Sequence, residues 1–383
     1  MRSIDVLFIL FSLLLGACAK DKKFVQASSP FCQSNMVKNQ YIVHWKKQSP
    51  TLVISQNLDK FISSNEGDID FIEPNYTIFA KLVKKQFADE PNDEPVPTYG
   101  TPESASHVYD MIHVRSAWNR GYFGQGLTVA IVDTGVDQQH PSLRRRLVPG
   151  WNFVSNTVNS EDETGHGTAM AGIITGPYLN NASLSLAPDV KIMPVDFMTD
   201  QGGTEFHAQE ALNYAISKHA KIINNSWTVS CSELLRDSFI GWANQDVIFI
   251  NSSGNEPVDV IEHGIVPASL SLSNQVNVGS LDDRGHRSSF SGYGYTVQIY
   301  APGELVPSFA QSDTGSRSVR ISGTSASTAI VSAAAAILWS AFPHATANEI
   351  VSLIVDGAQQ EPTIEPTLNI QESLRLGKSR FLN

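Results

Sequence analysis

The run Ala329-Ile330-Val331-Ser332-Ala333-Ala334-Ala335-Ala336-Ile337-Leu338 constrains this chain more than any other stretch. It is apolar nearly all round, and a helix of that kind is stable in water only when other elements cover every side of it. The chain therefore needs a thick core. Its 383 residues, 42% of them hydrophobic, suffice for one large domain plus a smaller one. Directly ahead stands Gly323-Thr324-Ser325-Ala326-Ser327, which puts Ser325 in or just before the first turn. Unpaired backbone N–H groups and the positive end of the helix dipole favour a developing oxyanion at that point. Gly323 lets the backbone approach a substrate closely. A Ser or Thr cap on a core helix explains the same pentapeptide equally well.

The elements around this helix alternate. Leu127–Val132, Val190–Val195, Ala220–Asn224, Val247–Ile250 and Gln275–Gly279 read as buried strands, with a helix expected over Ala208–His219. Strands alternating with helices imply an α/β domain of three layers around a mostly parallel sheet. Active sites in such sheets gather beyond the carboxyl ends of the strands. Upstream, Tyr41–Trp45 and Ile69–Phe79 are strand-like, with a short helix at Leu58–Ile62, which suggests a small α+β unit. The acidic, proline-rich stretch Ala88–Pro97 separates the two as an exposed linker.

The formal charge is −11 and the basic clusters are short, which argues against nucleic acid as a partner. At the N-terminus, Arg2 precedes the apolar run Val6–Leu15, too short to span a membrane, so the segment reads as a targeting signal. Leu15-Gly16-Ala17-Cys18 resembles the bacterial lipobox, which implies removal of residues 1–17 and a lipid on Cys18, although Asp5 sits in the n-region. Ordinary secretion by cleavage after Ala17 is the alternative. No later stretch is expected to cross a membrane. Cys32 and Cys231 are free to pair in an exported chain, and their spacing does not decide whether they do.

Two motifs fall at strand or helix ends. Val132-Asp133-Thr134-Gly135 puts a carboxylate at the end of a buried strand, and Thr164-Gly165-His166-Gly167-Thr168 puts a histidine at the start of a helix. A serine hydroxyl is a poor nucleophile until a neighbouring base takes its proton. His166 suits that task because the reference pKa of imidazole, about 6.5, lies near neutrality. Asp133 would fix the tautomer and stabilise the imidazolium. The order Asp…His…Ser separates the chain from α/β-hydrolases and chymotrypsin-type enzymes.

Val129–Asp137, Gly165–Thr168 and Ser322–Ser327 together resemble the Asp, His and Ser blocks of the subtilisin-like serine proteases, the subtilases, over roughly Tyr109–Leu374. The resemblance implies a serine endopeptidase with the triad Asp133, His166 and Ser325, working through an acyl-enzyme. Ser252-Ser253-Gly254-Asn255 is similar to the segment that carries the oxyanion-hole Asn, here Asn255. Substrate would lie as an added strand beside Gly203, Ser226, Trp227, Thr228 and Gly254. Thr228 and Val229 stand where the family usually has glycines, implying a narrower pocket wall or a differently shaped edge, and Glu256 falls near the pocket floor. Ala169 and Ala329 replace a frequent His and Pro. No cofactor is implied; calcium is conceivable, but Ser142 replaces the usual carboxylate ligand.

The resemblance also implies an organisation: signal peptide 1–17, tether 18–35, a shortened ferredoxin-like inhibitory propeptide 36–86, linker 87–105 and catalytic domain 106–383. The expected product is an exported zymogen, lipid-anchored in the bacterial cell envelope or secreted after processing. Its partners would be protein or peptide substrates, its own propeptide and the membrane. A catalytically weak or inactive peptide-binding surface lipoprotein is the alternative.

Overall fold

The structure, a computed structural model, describes residues 36–80, 82–87, 106–177, 185–311, 318–361 and 364–381. Cys18, Cys32, the signal and tether, and most of the linker lie outside the described residues. The chain divides into two compact units; among the described residues the first holds 39–74 and the second holds 36–38 and everything from Asn75 onward. Residues 75–86, expected to close the N-terminal unit, therefore belong with the second.

The first unit is built on a hairpin in which Gln40–Val43 pair antiparallel with Thr51–Ile54. The helix Leu58–Asn65 follows, capped by the Asn57 side chain, and then the strand Ile69–Ile78, which belongs to this unit as far as Pro74. Val43, Ile69 and Ile72 form its small core under Trp45, Leu58 and Phe61. His44 Nε2 meets Glu73 Oε1 at 2.7 Å, so the buried carboxylate is partnered.

The second unit is organised by a nine-stranded sheet. From one edge, its strands are Gln359–Glu361, Ile364–Thr367, Ile299–Pro302, Gln275–Leu281, Ile248–Ser252, Ile222–Asn225, Thr128–Asp133, Lys191–Asp196 and Trp151–Asn152. The ladders from Ile364–Thr367 to Trp151–Asn152 are all parallel. Side-chain alternation along each strand feeds two cores. Val129, Ile131, Ile222, Ile248 and Ile250 face the layer that holds the helix Thr324–Ala341. Ala130, Val132, Ile223 and Phe249 face the layer of Glu205–Ser217, through Ala208, Ala211, Leu212 and Ala215. The result is the three-layer α/β arrangement that the alternation of elements predicts.

The helix Thr324–Ala341 is long and apolar enough to cross a membrane by length and composition, but it is 89% buried inside the protein. Its apolar circumference is answered by protein on every side, as the run of alanines requires.

Three of the central strands are also joined by asparagines, at or next to the carboxyl ends of two of them and inside the third. Asn225 Nδ2 donates to Asn251 Oδ1 at 2.9 Å, and Asn251 Nδ2 donates to Asn277 Oδ1 at 3.0 Å. All three are fully buried, and Asn277 Nδ2 donates onward to the carbonyls of Ala268, Leu270 and Thr296. A buried amide ladder of this kind costs little only while each member keeps its partners. It fixes the relative register of three adjacent strands.

Candidate active site

Asp133 ends the strand Thr128–Asp133, and His166 begins the helix His166–Ile174. His166 Nδ1 meets Asp133 Oδ1 at 2.7 Å, with both side chains buried. That bond holds the imidazole with Nε2 as the nitrogen available to a substrate-side hydroxyl.

Why the helix starts here follows from its neighbours. Gly165 supplies no side-chain cap. Asp162 takes over: its Oδ1 accepts from the Thr164 and Gly165 N–H groups and the Thr134 hydroxyl, and its Oδ2 accepts from Thr168 N and Oγ1. Thr134 Oγ1 in turn accepts from Gly167 N at 3.0 Å, stitching the strand end to the helix start. A Cβ on Gly167 would lie 2.0 Å from the Gly135 carbonyl oxygen. Since that oxygen is backbone, Gly167→Ala forces the loop and helix apart. We expect a loss at or above the upper end of the ~1–3 kcal/mol typical of overpacking. Urea midpoints check this, and an unchanged midpoint contradicts the close approach.

Ser325 lies in the first turn of Thr324–Ala341 and is 2% exposed. Its hydroxyl donates to the Ser226 carbonyl at 3.1 Å, and the Ser226 hydroxyl donates back to the Ser325 carbonyl at 3.3 Å. Trp227 continues the link, its Nε1 donating at 2.9 Å to the carbonyl of Val132, the residue before Asp133. Gly323, at φ 153° and ψ 159°, occupies backbone space that essentially only glycine adopts. Asn255 Oδ1 accepts from both the N–H and the hydroxyl of Thr324, each at 2.8 Å. The amide oxygen thus caps the helix, and the amide is held in one orientation beside Ser325. Ser252 supports the same turn through a 2.7 Å bond to the Thr324 hydroxyl.

A cavity of about 510 Å³ opens beside Ser325. Ser226, Trp227, Thr228, Gly254 and Asn255 line it, as does Glu256. Trp227 contributes its backbone, since its ring is buried against Phe197. The Thr228 side chain would stand 3.6 Å from a Cβ on Gly254, so threonine and glycine are neighbours in the cavity wall. Val229 lines it too but is counted in the core. Gly203 lies apart from this cavity, in the strand Gly202–Thr204, where it pairs antiparallel with Ile78.

Three features escape a reading of the sequence. Asp162 could have been suspected from its place just ahead of a helix start. The asparagine ladder and Asp196 carry no such local signal. Asp196 sits beside Asp133 in the sheet register, and its carboxylate accepts from Asn152 Nδ2 at 2.5 Å. Burial pushes the Asp196 carboxyl up to about 7, reinforced by the charges of Asp162, Asp133 and Glu163 and opposed by the Met198 N–H. Because the folded value exceeds the ordinary 3.8, the unfolded chain releases this proton first as pH rises. Folding therefore loses stability across roughly pH 4 to 7. Asp196→Asn removes that loss, so the variant's melting temperature should gain on the parent between pH 5 and pH 8. A constant difference at both pH values contradicts the shift.

The calcium expectation can be tested on the donors around Ser142. Its N–H donates to His140 Nδ1 at 3.2 Å, and no group of three His, Cys, Asp or Glu side chains suited to a metal occurs among the described residues. A hydroxyl beside an imidazole does not fit a hard cation that wants several carboxylate or carbonyl oxygens. Cys231 is disulfide-bonded, to a partner outside the described residues.

These features match known proteins closely. The subtilase family model matches residues 124–374. The chain is 33% identical over 300 residues to a thermostable alkaline protease of Halalkalibacterium halodurans, covering 74% of this chain and 78% of that one. It is 34% identical over 249 residues to thermitase of Thermoactinomyces vulgaris, covering 63% and 86%. A crystal structure of a cold-adapted subtilisin-like serine proteinase superposes with a TM-score of 0.58 at 30% identity, covering 65% of this chain and 90% of that one. The chain belongs to the subtilase family and is a serine endopeptidase.

Proposed function

We propose that Asp133, His166 and Ser325 form the catalytic triad and that Asn255 completes the oxyanion hole. The observation that carries this is the 2.7 Å bond between His166 and Asp133, at the same sheet edge as the turn in which Asn255 grips Thr324. Ser325 turns from the Ser226 carbonyl toward His166 Nε2 and gives up its proton as it attacks a peptide carbonyl. His166 then passes the proton to the leaving amine, and water repeats the sequence on the acyl-enzyme. The Asn255 amide and the Ser325 backbone N–H receive the oxyanion.

Substrate lies between Gly203 on one side and Ser226, Trp227, Thr228 and Gly254 on the other. Support for that comes from Thr77 and Ile78 of the same chain, which pair antiparallel with Thr204 and Gly203. The unit from residue 36 serves as a shortened, ferredoxin-like inhibitory propeptide, so the protein is made as a zymogen. Residues 1–17 direct export, and Cys18 carries the lipid that anchors it in the envelope. Cys32 is the partner of Cys231, which keeps the anchored segment attached after processing. A sulfonyl fluoride directed at active serines should add its mass to the peptide containing Ser325 and abolish hydrolysis of protein substrates. The same intact-mass spectra, taken with and without reductant after processing, should show the N-terminal fragment leaving only when reduced. Labelling elsewhere, or inhibition without labelling of Ser325, would sink the triad assignment. Release without reductant would sink the bridge.

A further inference from the structure

In the apolar middle of the helix Thr324–Ala341, Ser332 stands between Val331 and residues 333–336, all of them alanine. Its side chain is fully buried. A hydroxyl in such a place costs stability unless it is hydrogen-bonded, and an alanine would avoid the cost. Thr328, one turn earlier, turns its hydroxyl back onto the Thr324 carbonyl at 2.8 Å, the local solution open to a helical hydroxyl. Ser332 instead donates away from its own helix, to Asn224 Oδ1 at 3.0 Å.

Asn224 belongs to the strand Ile222–Asn225 and shares the face of Ile222, which looks onto this helix. It too is fully buried. With Oδ1 turned to Ser332, its Nδ2 donates to Ser226 Oγ at 2.8 Å. A serine hydroxyl has one proton to give. Because Ser226 Oγ accepts from Asn224, that proton is left for the Ser325 carbonyl, which lies at 3.3 Å. The three bonds run in one direction, from the middle of the helix, through a central strand, to the residue that carries the nucleophile. Ser332 lies two turns beyond Ser325 on the same side of the helix, so one strand holds the helix at both points.

We propose that Ser332 and Asn224 are positioning residues for the nucleophile, acting through the Ser226 hydroxyl on the main chain of Ser325. This rests on the serine-peptidase reading above. In the resting site two bonds join Ser226 and Ser325. Attack requires the Ser325 hydroxyl to leave the Ser226 carbonyl for His166, which gives up one of them. The bond from the Ser226 hydroxyl to the Ser325 carbonyl is the one that persists. Asn255 grips Thr324 on the other side of the same peptide. The N–H that receives the oxyanion lies between these two grips, and such a donor is effective only if it is already in place when the charge develops. Loosening the relay therefore raises the barrier to reaction and leaves substrate binding, a matter of strand pairing, nearly unchanged.

The test is steady-state kinetics of the purified full chain on a chromogenic peptide, with urea midpoints measured alongside. The variants are Ser332→Ala, Ser332→Thr, Ser226→Ala and the double Ser226→Ala/Ser332→Ala. Ser226→Ala should lower kcat about tenfold and Ser332→Ala about fivefold, the scale of one hydrogen bond lost in the transition state, each with KM within about twofold of the parent. Ser332→Thr keeps the hydroxyl and should keep the parent kcat even where its extra methyl lowers the urea midpoint. The double variant should be no slower than Ser226→Ala, because Ser332 acts only through that hydroxyl. Ser332→Ala with the parent kcat, Ser332→Thr as slow as Ser332→Ala, or losses that multiply in the double variant each overturn the relay. Ser226→Ala with the parent kcat overturns it whether or not Ser332→Ala folds. A Ser325→Ala control as active as the parent removes the peptidase reading and this inference with it.

Discussion

Ser325→Ala should lower kcat on a peptide substrate by about 10⁶, and His166→Ala by a similar factor, while the double variant should be little worse than either. The magnitude is carried over from subtilisin itself and not obtained from the present geometry; the pattern is what the geometry predicts. Ser325 and His166 act in one proton transfer, so removing either disables the other. KM should change little, because the strand-pairing surface formed by Gly203 and Thr228 does not involve the hydroxyl. Steady-state kinetics on a chromogenic peptide checks this. Additive losses in the double variant would mean that the two residues do not work as a unit.

Asn255→Ala should cost about 10²–10³ in kcat, a range again measured in a subtilase. Here a second effect is expected from the structure. Asn255 Oδ1 accepts two bonds from Thr324, so its loss also uncaps the helix that carries Ser325. A lost cap typically costs about 1 kcal/mol. Asn255→Asp separates the two roles: it retains an oxygen acceptor for Thr324 but offers a negative charge to the oxyanion. The Asp variant should recover the urea midpoint and not the activity. If Asn255→Asp restored kcat, the amide would not be the oxyanion donor.

Much of the candidate site was legible in the chain because its residues stand in short local motifs. Asp133, His166 and Ser325 each sit at an element end within two residues of a glycine, and the structure gives physical reasons for two of those glycines in the clash at Gly167 and the backbone of Gly323. The central strands were legible because they are fully buried and so continuously apolar. The outlying strands Ile364–Thr367 and Trp151–Asn152 were not, being too short to show a period. Asp162, Asp196 and the Asn225–Asn251–Asn277 ladder were not legible either. Their roles depend on which strands lie side by side, and a polar residue read alone gives no sign of it. The pairings of Thr77 and Ile78 with Thr204 and Gly203, and of Lys84–Phe87 with Ser318–Ser322, were hidden for the same reason.

The most direct measurement is turnover of denatured casein by the purified full-length protein beside its Ser325→Ala variant, at equal concentration near pH 8. The account predicts steady release of peptides by the parent and none above background by the variant. Equal release by both, or none by either, would contradict the assignment of Ser325 as the nucleophile of a serine endopeptidase.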